Sequence, residues 1–388
     1  MAPPDTRTRR IGQAFRRKNP LVTFTENERA LLTLVRDLGP VARSVLARSM
    51  GLAMQSVVRI VESLTERGFL RIGDEAIRSS GPGQPSLPVT IVPDAAYAAG
   101  ASVTAARTHL VILDLLGRPV AERHCRADGA HVDDVVQLLR GELTGMLGES
   151  GIPAERLFGL GVATTGYFVG EGRLNTPAAM EDWALRDVEE TLSRHLSLPV
   201  WIENDGNAAT VGEKLFGVGR RYDSFAYVYV AAGLGGGVVT QGTLFRGVHG
   251  NAGEFTGTLP LEQRECRPSL ARLLRLVNDA GGNLNDIDEL LASFDIEWPG
   301  VDEWLATSAP VMTAIASAIG GVLDPEAIVI GGRIPPVLAR HLIERTTFYA
   351  APIRDLERPF PILVCAEAPG DAAALGAASL PFSEHFFL

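Results

Sequence analysis

In the stretch IENDGNAATVGE, residues 202–213, an apolar run ends in Glu203-Asn204-Asp205 and gives way to small residues. A carboxylate at a strand tip, ahead of a helix, has three uses. It takes a proton from an attacking hydroxyl as a general base. It accepts hydrogen bonds from a bound ligand. Or it caps the helix that begins there, which Asp before Gly-Asn-Ala-Ala does well. A second candidate lies nearer the start of the chain. In MQSVVRIVESLTERG, residues 54–68, Met54, Gln55, Ser56 and Arg59 point outward from an apolar face of Val57, Ile60, Val61 and Leu64. Gln pairs with adenine through two hydrogen bonds, and Arg with guanine or a phosphate. These residues suit a helix that enters the major groove N-terminus first; a merely solvated face is the alternative.

The elements that must position these residues are readable in part. TENERALLTLVRDLG carries Thr25 and Glu28 at capping-box spacing, then Leu31, Leu34, Val35 and Leu38 at helical spacing, and stops at Gly39-Pro40. A second helix, ARSVLARSM, stops at Gly51, and the third runs to Gly68. FLRIGDEAIRSSGPGQP reads as a hairpin with a Gly-rich tip, and GPGQPSLPVTIVPDAAY as the wing's end and a linker. Three helices and a hairpin make a winged helix-turn-helix, with Arg43 and the arginines of a basic N-terminal arm as phosphate contacts. From residue 97 the pattern changes. YAAGASVTA, HLVILDLL and RPVAERHCR form an antiparallel meander, followed by alternating helices and strands. SFAYVYVAAG and GGVVTQGTLF open a second meander, and AIVIGG and PILVCA are later strands. One pattern occurring twice predicts an α/β body of two related lobes facing across a cleft, with Asp205 at the carboxyl end of a strand. The expected organisation is a basic arm over 1–20, a winged helix-turn-helix over 21–92 and a two-lobed body over 93–388.

Charge agrees with this division. Residues 1–80 hold 14 Arg and Lys against 8 Asp and Glu, while the whole chain carries a net charge of −10. A basic module on an acidic body suits a polyanion partner for the first part only. The three cysteines, Cys125, Cys266 and Cys365, are scattered, which predicts a reducing compartment without a disulfide framework. The first twenty residues lack the apolar core of a secretory signal, and no run of about 18 apolar residues predicts a membrane span. The expected location is the cytoplasm.

Four segments in order carry a resemblance that covers nearly the whole chain. IENDGNAATVGE resembles the sugar-site motif around the catalytic Asp of the ROK family (repressors, open reading frames and sugar kinases). AAGLGGGVVTQGTLFRGVHGNAGEF is similar to that family's Gly-rich phosphate turn and the Gly-Glu that follows. LDPEAIVIGGRIP resembles its nucleotide-side strand, and GDAAALGAASL its closing helix. The N-terminal LARSMGLAMQSVVRIVESLTERGFL resembles the DNA-binding module of the family's repressors. The resemblance implies an actin-like, ribonuclease H-like sugar-kinase fold behind a winged helix-turn-helix.

Two departures from the family pattern bear on function. A kinase of this fold needs a phosphate turn from each lobe, because phosphoryl transfer rests on positioning and charge neutralisation. The second turn is present as Gly233-Leu234-Gly235-Gly236-Gly237, with a mere tight turn at 235–237 as the alternative. The first, an Asp followed by two glycines and a Thr, is replaced by GASVTAARTHL. Ala105-Ala106 does not admit a phosphate as Gly-Gly does. The family's zinc site needs a His after Gly-Glu and a Cys cluster; FTGTLPLEQRECRPS offers only Cys266. Neither zinc nor a cofactor is therefore expected. A polyol site remains possible from Asn204, Asp205, Glu254, Asn175, Thr165 and Gly166, since each buried hydroxyl needs a fixed polar partner.

The expectation is a sugar-responsive, non-catalytic transcriptional regulator, a repressor by the family's commoner habit. It would bind a double-stranded operator and a carbohydrate, and assemble as a homodimer or dimer of dimers. Its rivals are a sugar kinase that has kept ATP-dependent activity and a ligand-independent DNA-binding dimer.

Overall fold

The computed structural model describes residues 23–75, 86–126, 130–170, 172–350, 352–356 and 358–388. The basic arm and the tip of the wing lie outside the described residues.

The N-terminal module holds three helices, α1 (Glu26–Leu38), α2 (Arg43–Met50) and α3 (Met54–Glu66), and three short strands, β1 (Val41–Ala42), β2 (Leu70–Ile72) and β3 (Pro88–Ile91). The capping box at α1 is formed: the Glu28 amide donates to Thr25 Oγ1 at 3.2 Å and the Thr25 amide to Glu28 Oε2 at 2.7 Å. Gly51 ends α2 in the left-handed conformation. The stretch expected to be wing end and linker contains β3, the central strand of an antiparallel β1-β3-β2 sheet. The link to the body is thereby shortened to a few residues. Leu31, Leu32, Val35, Leu46, Val57, Val61 and Leu64 are fully or almost fully buried beneath this sheet.

The body repeats one sheet twice. Lobe I contains β4 (Tyr97–Val103), β5 (Thr108–Asp114), β6 (Pro119–Cys125), helix α4 (Val132–Glu149), β7 (Leu157–Thr164), the hairpin β8 (Tyr167–Gly170) and β9 (Arg173–Asn175), helix α5 (Val188–Leu196) and β10 (Val200–Asn204). Helix α6 (Asp205–Phe216) leads to lobe II: β11 (Phe225–Val230), β12 (Leu234–Thr240), β13 (Thr243–Leu244), α7 (Leu270–Asp279), α8 (Ile287–Ser293), α9 (Val301–Val322), β14 (Ala327–Gly332), α10 (Pro336–Glu344) and β15 (Ile362–Cys365). The sheets run β10-β7-β4-β5-β6 and β13-β12-β11-β14-β15. In each, an antiparallel meander starts at the central strand and two parallel strands extend the other side, the duplicated actin-like arrangement. Helix α9 is long and apolar enough to cross a membrane, but Trp304, Met312, Ile315 and Ile319 bury it in the lobe II core.

The last helix, α11 (Ala372–His385), crosses the molecule. It lies along α6 so closely that a Cβ on Gly376 would overlap the Ala208 carbonyl, and one on Gly212 would overlap that of Ala372. Its far end carries Phe382, Phe386 and Phe387 into the same core as Leu31, Val35 and Leu64 of the N-terminal module. The Arg29 guanidinium donates to the Ser383 carbonyl at 2.7 Å, the Leu388 amide donates to Thr33 Oγ1 at 3.0 Å, and Arg36 lies 4.2 Å over the Phe387 ring.

Candidate functional site

The tip of β10 settles which residue caps α6. Asn204, not Asp205, is the cap: Asn204 Oδ1 accepts from the Asn207 amide at 3.0 Å. The capping alternative for Asp205 is thereby corrected. Asn204 Nδ2 donates to the Gly166 carbonyl at 2.7 Å, so both ends of this buried side chain serve the scaffold. Asp205 is left at the first helical position, where Oδ1 accepts from the Gly206 amide and Oδ2 from the Thr165 hydroxyl, both at 2.9 Å. Burial raises the Asp205 pKa above the ordinary aspartate value, against the pull of these hydrogen bonds.

Thr165 and Gly166 follow β7, which runs parallel to β10 and brings Thr164 opposite Asn204. The structure therefore gathers Thr165, Gly166, Asn204 and Asp205 at one sheet end. Asn175 joins them through the β8–β9 hairpin: its Nδ2 donates to the Tyr167 hydroxyl at 2.6 Å, and its carbonyl crowds Gly166, which sits at φ +140°. Glu254 comes from lobe II and is exposed. Although the residue as a whole is exposed, partial desolvation of its carboxyl, and then the Asp205 charge, raise its pKa above the ordinary glutamate value.

Of the residues that hold this arrangement together, Glu203 is visible in sequence only as a neighbour of Asp205, and Arg246 and Asn251 carry no sequence signal. Glu203 is 4% exposed. Its Oε1 accepts from the Asn204 amide at 3.0 Å and from Asn207 Nδ2 at 3.1 Å; its Oε2 accepts from Arg246 Nε at 3.0 Å and Nη2 at 2.7 Å. Asn251 exchanges two hydrogen bonds of 2.8 Å with the backbone of Phe168. Together they pin the 246–254 loop of lobe II to the strand tips of lobe I. Only the acidic and amide residues next to Asp205 could have hinted at this.

The Gly-rich run is not one turn. The tight turn is at Ala231–Gly233, and Gly235, Gly236 and Gly237 lie in β12. Gly236 packs against Gly206 at the start of α6, where a Cβ on Gly206 would lie 2.6 Å from the Gly236 amide nitrogen. Gly233 and Gly235 face open space.

At the same end of the lobe I sheet, where Val103 pairs with Thr164, the β4–β5 turn closes on itself, with the Thr104 hydroxyl donating to the Arg107 carbonyl at 3.1 Å. Arg107 then crosses to lobe II and donates from Nε to Asp288 Oδ2 at 3.0 Å, and Arg333, which follows Gly331-Gly332, pairs with Asp288 Oδ1. Burial opposes the charge on Asp288, but Arg333 and Arg107 outweigh it and hold its pKa below the ordinary value. The segment after Glu254 forms two short turns, Phe255–Thr258 and Leu261–Cys266, with one thiol and no imidazole, which does not fit the family's zinc. A cavity of about 330 Å³ beside Val277, Asn283 and Trp298 has no titratable lining residue and lies away from Asp205.

In the N-terminal module, Met54, Gln55, Ser56 and Arg59 are all exposed around the first turns of α3. Arg43 is half-buried at the start of α2, and its Nε has no hydrogen-bond acceptor among the described residues. Neither α2 nor α3 has a capping side chain, since Ala42 and Ala53 stand at the cap positions.

The ROK family profile matches residues 108–267. The chain is 32% identical over 369 residues to the uncharacterized protein y4fQ of Sinorhizobium fredii, covering 93% of this chain and 92% of that protein. It is 28% identical over 237 residues to the xylose repressor of Bacillus subtilis, covering 59% of each. It is 30% identical over 231 residues to the glucokinase of Thermotoga maritima, covering 51% of this chain and 71% of the enzyme. Among solved structures, a ROK family transcriptional regulator described as a homologue of the Escherichia coli MLC protein superposes with a TM-score of 0.67, at 18% identity, over 93% of this chain and 96% of that one. The duplicated sheet, the Asp205 strand tip and these similarities agree: the chain belongs to the ROK family.

Proposed function

We propose that the protein is a DNA-binding transcriptional regulator, a repressor whose grip on its operator is released by a carbohydrate held at Asp205. The observation that carries this reading is α11. One end is capped by Asp371 and packs along α6, the helix that begins at Asp205, and the other end is built into the core of the N-terminal module. A ligand that draws Thr165, Asp205 and Glu254 together would shift α6. The backbone-to-backbone contacts between α6 and α11 at Gly376 and Gly212 leave little room for slip, so the shift would reach the winged helix. In a dimer this would change the separation of two recognition helices relative to their half-sites.

Asp205 would accept from ligand hydroxyls, Glu254 would add a second acceptor, and Asn175 with Gly166 would close the near side. Gln55, Ser56 and Arg59 would face base edges. Arg43 and the uncapped amides of α2 and α3 would face phosphates. The similarity to a xylose repressor makes aldopentoses the first ligands to try.

The Arg107–Asp288–Arg333 cluster supports a non-catalytic role. It occupies the lobe junction on the side where an ATP-dependent kinase needs its first phosphate turn, and the Thr104–Arg107 turn has no glycine and no carboxylate. One observation favours the enzyme reading: the raised pKa of Asp205 suits a general base, and a glucokinase is among the relatives.

The test uses duplexes selected from a random pool by the protein itself. Gel shifts with and without an aldose panel should show release by one sugar. Asp205→Ala should keep ligand-free DNA binding and lose that release. ATP consumption by the wild type with the same sugar would establish the kinase instead, and no response to any sugar would favour a ligand-independent DNA-binding dimer.

A further inference from the structure

His109, at the start of β5, is 3% exposed, and both of its ring nitrogens are buried without a hydrogen bond of acceptable geometry. Carboxylates nevertheless approach both. Glu122 Oε1 lies 2.7 Å from Nε2, and Asp371 Oδ2 lies 3.4 Å from Nδ1. The β5–β6 register sets His109 directly opposite His124, and strand alternation puts Glu122 on the same face as His124. His124 Nε2 lies 3.4 Å from the same Glu122 oxygen, and the two imidazole rings stack 4.0 Å apart.

We propose that His109, Glu122 and His124 form a binding site for a divalent transition-metal cation of the zinc type, with Asp371 as the outer carboxylate that orients His109. Two imidazoles and one carboxylate are a donor set for such an ion, leaving a coordination position open to solvent. In a tetrahedral site with bonds of about 2.0–2.1 Å the ligand atoms stand about 3.4 Å apart. Here one ligand atom from each residue lies within 4.8 Å of the others. The ion must lie in the plane of each ring, so His124, which is exposed, turns out of its stack while the buried His109 stays fixed. An Asp that accepts from the far nitrogen of a ligating His fixes its tautomer and strengthens it as a donor. Asp371 has that position, and it is also the cap of α11, whose Ala373 and Ala374 amides both donate to it at 3.0 Å. The ion would therefore tie the lobe I meander to the start of the helix that reaches the N-terminal module. This site is separate from the family's zinc position after Glu254.

The experiment uses full-length protein with its affinity tag removed and metal stripped by a chelator. Zn²⁺ is titrated by calorimetry and Co²⁺ by its visible absorption. The expected result is one equivalent of each, Co²⁺ bands of tetrahedral or five-coordinate intensity, and a higher Tm with metal. Glu122→Gln and His124→Ala change exposed side chains; circular dichroism checks their fold. Each should weaken Zn²⁺ binding at least tenfold, while Cys266→Ser should leave it unchanged. Absence of saturable one-to-one binding would overturn the proposal and leave His109 as an imidazole held only by carboxylates. Binding that survives either ligand variant unchanged, or is lost in Cys266→Ser, would also overturn it.

Discussion

Replacing Asp205 by Asn should move stability and ligand affinity in opposite directions. The carboxylate accepts two protein hydrogen bonds, from the Gly206 amide and the Thr165 hydroxyl. An Asn carboxamide keeps both contacts: its oxygen accepts from the amide, and its nitrogen donates to the hydroxyl. The helix cap is unaffected because it belongs to Asn204. What is lost is the charge, whose burial raises the folded-state pKa above the ordinary value. An acid with a raised folded-state pKa binds its proton more tightly when folded. The wild type therefore loses stability as pH climbs from the ordinary aspartate range through the folded-state value, and the deficit stays constant above it. Asp205→Asn removes that loss, so it should melt higher than the wild type at neutral pH and match it near pH 3. Asp205→Ala lacks any acceptor for the amide and the hydroxyl. At about 1 kcal/mol per hydrogen bond it should fall about 2 kcal/mol below Asn, or several degrees in Tm. Ligand affinity should fall about tenfold to a hundredfold in both variants, since each loses an acceptor for a ligand hydroxyl. Melts of the three proteins from pH 3 to 8, with sugar titrations at neutral pH, measure both effects. If Asn melts as low as Ala at every pH, the carboxylate contributes to the fold as an ion and the reasoning fails.

Other substitutions test neighbouring parts of the structure. Arg59→Ala should weaken binding to selected duplexes by about 1–3 kcal/mol with an unchanged Tm, measured by gel shift at fixed salt. Arg246→Ala leaves the buried Glu203 carboxylate without its cation; because the Arg246 side chain is itself half-exposed, the cost should be about 1–2 kcal/mol in urea unfolding, with much of the loss recovered when Glu203→Gln is added. Gly376→Ala forces a Cβ into the Ala208 carbonyl and should prevent a normal cooperative melt, whereas Ser379→Ala on the same helix should be tolerated. Arg107→Ala removes one of two guanidiniums from Asp288; its half-exposed position limits the cost to about 1 kcal/mol, and no ATP turnover should appear.

Much of the fold was legible locally. The capping box at Thr25 and Glu28, the apolar stripe of α3 and both meanders follow from spacing, because a helix or strand must bury one face whatever it packs against. Asp205 was likewise visible as a carboxylate at a strand tip. Its role relative to Asn204 was not, since either side chain can cap a helix beginning at that point. The choice depends on Thr165 and Gly166, 40 and 38 residues away, which take one partner each. The Gly run 235–237 similarly fits a turn or a close-packed strand until α6 is laid against β12.

The sequence by itself determined the basic module, the duplicated α/β body and the residue types available for chemistry, because those follow from composition and from near neighbours. Only the tertiary structure decided which charges meet: Arg107 with Asp288, 181 positions apart, Arg246 with Glu203, and His109 with Asp371. Such pairs leave no periodic trace in a chain. They form only when two lobes close and one long helix joins them, and the burial created there makes each partner necessary.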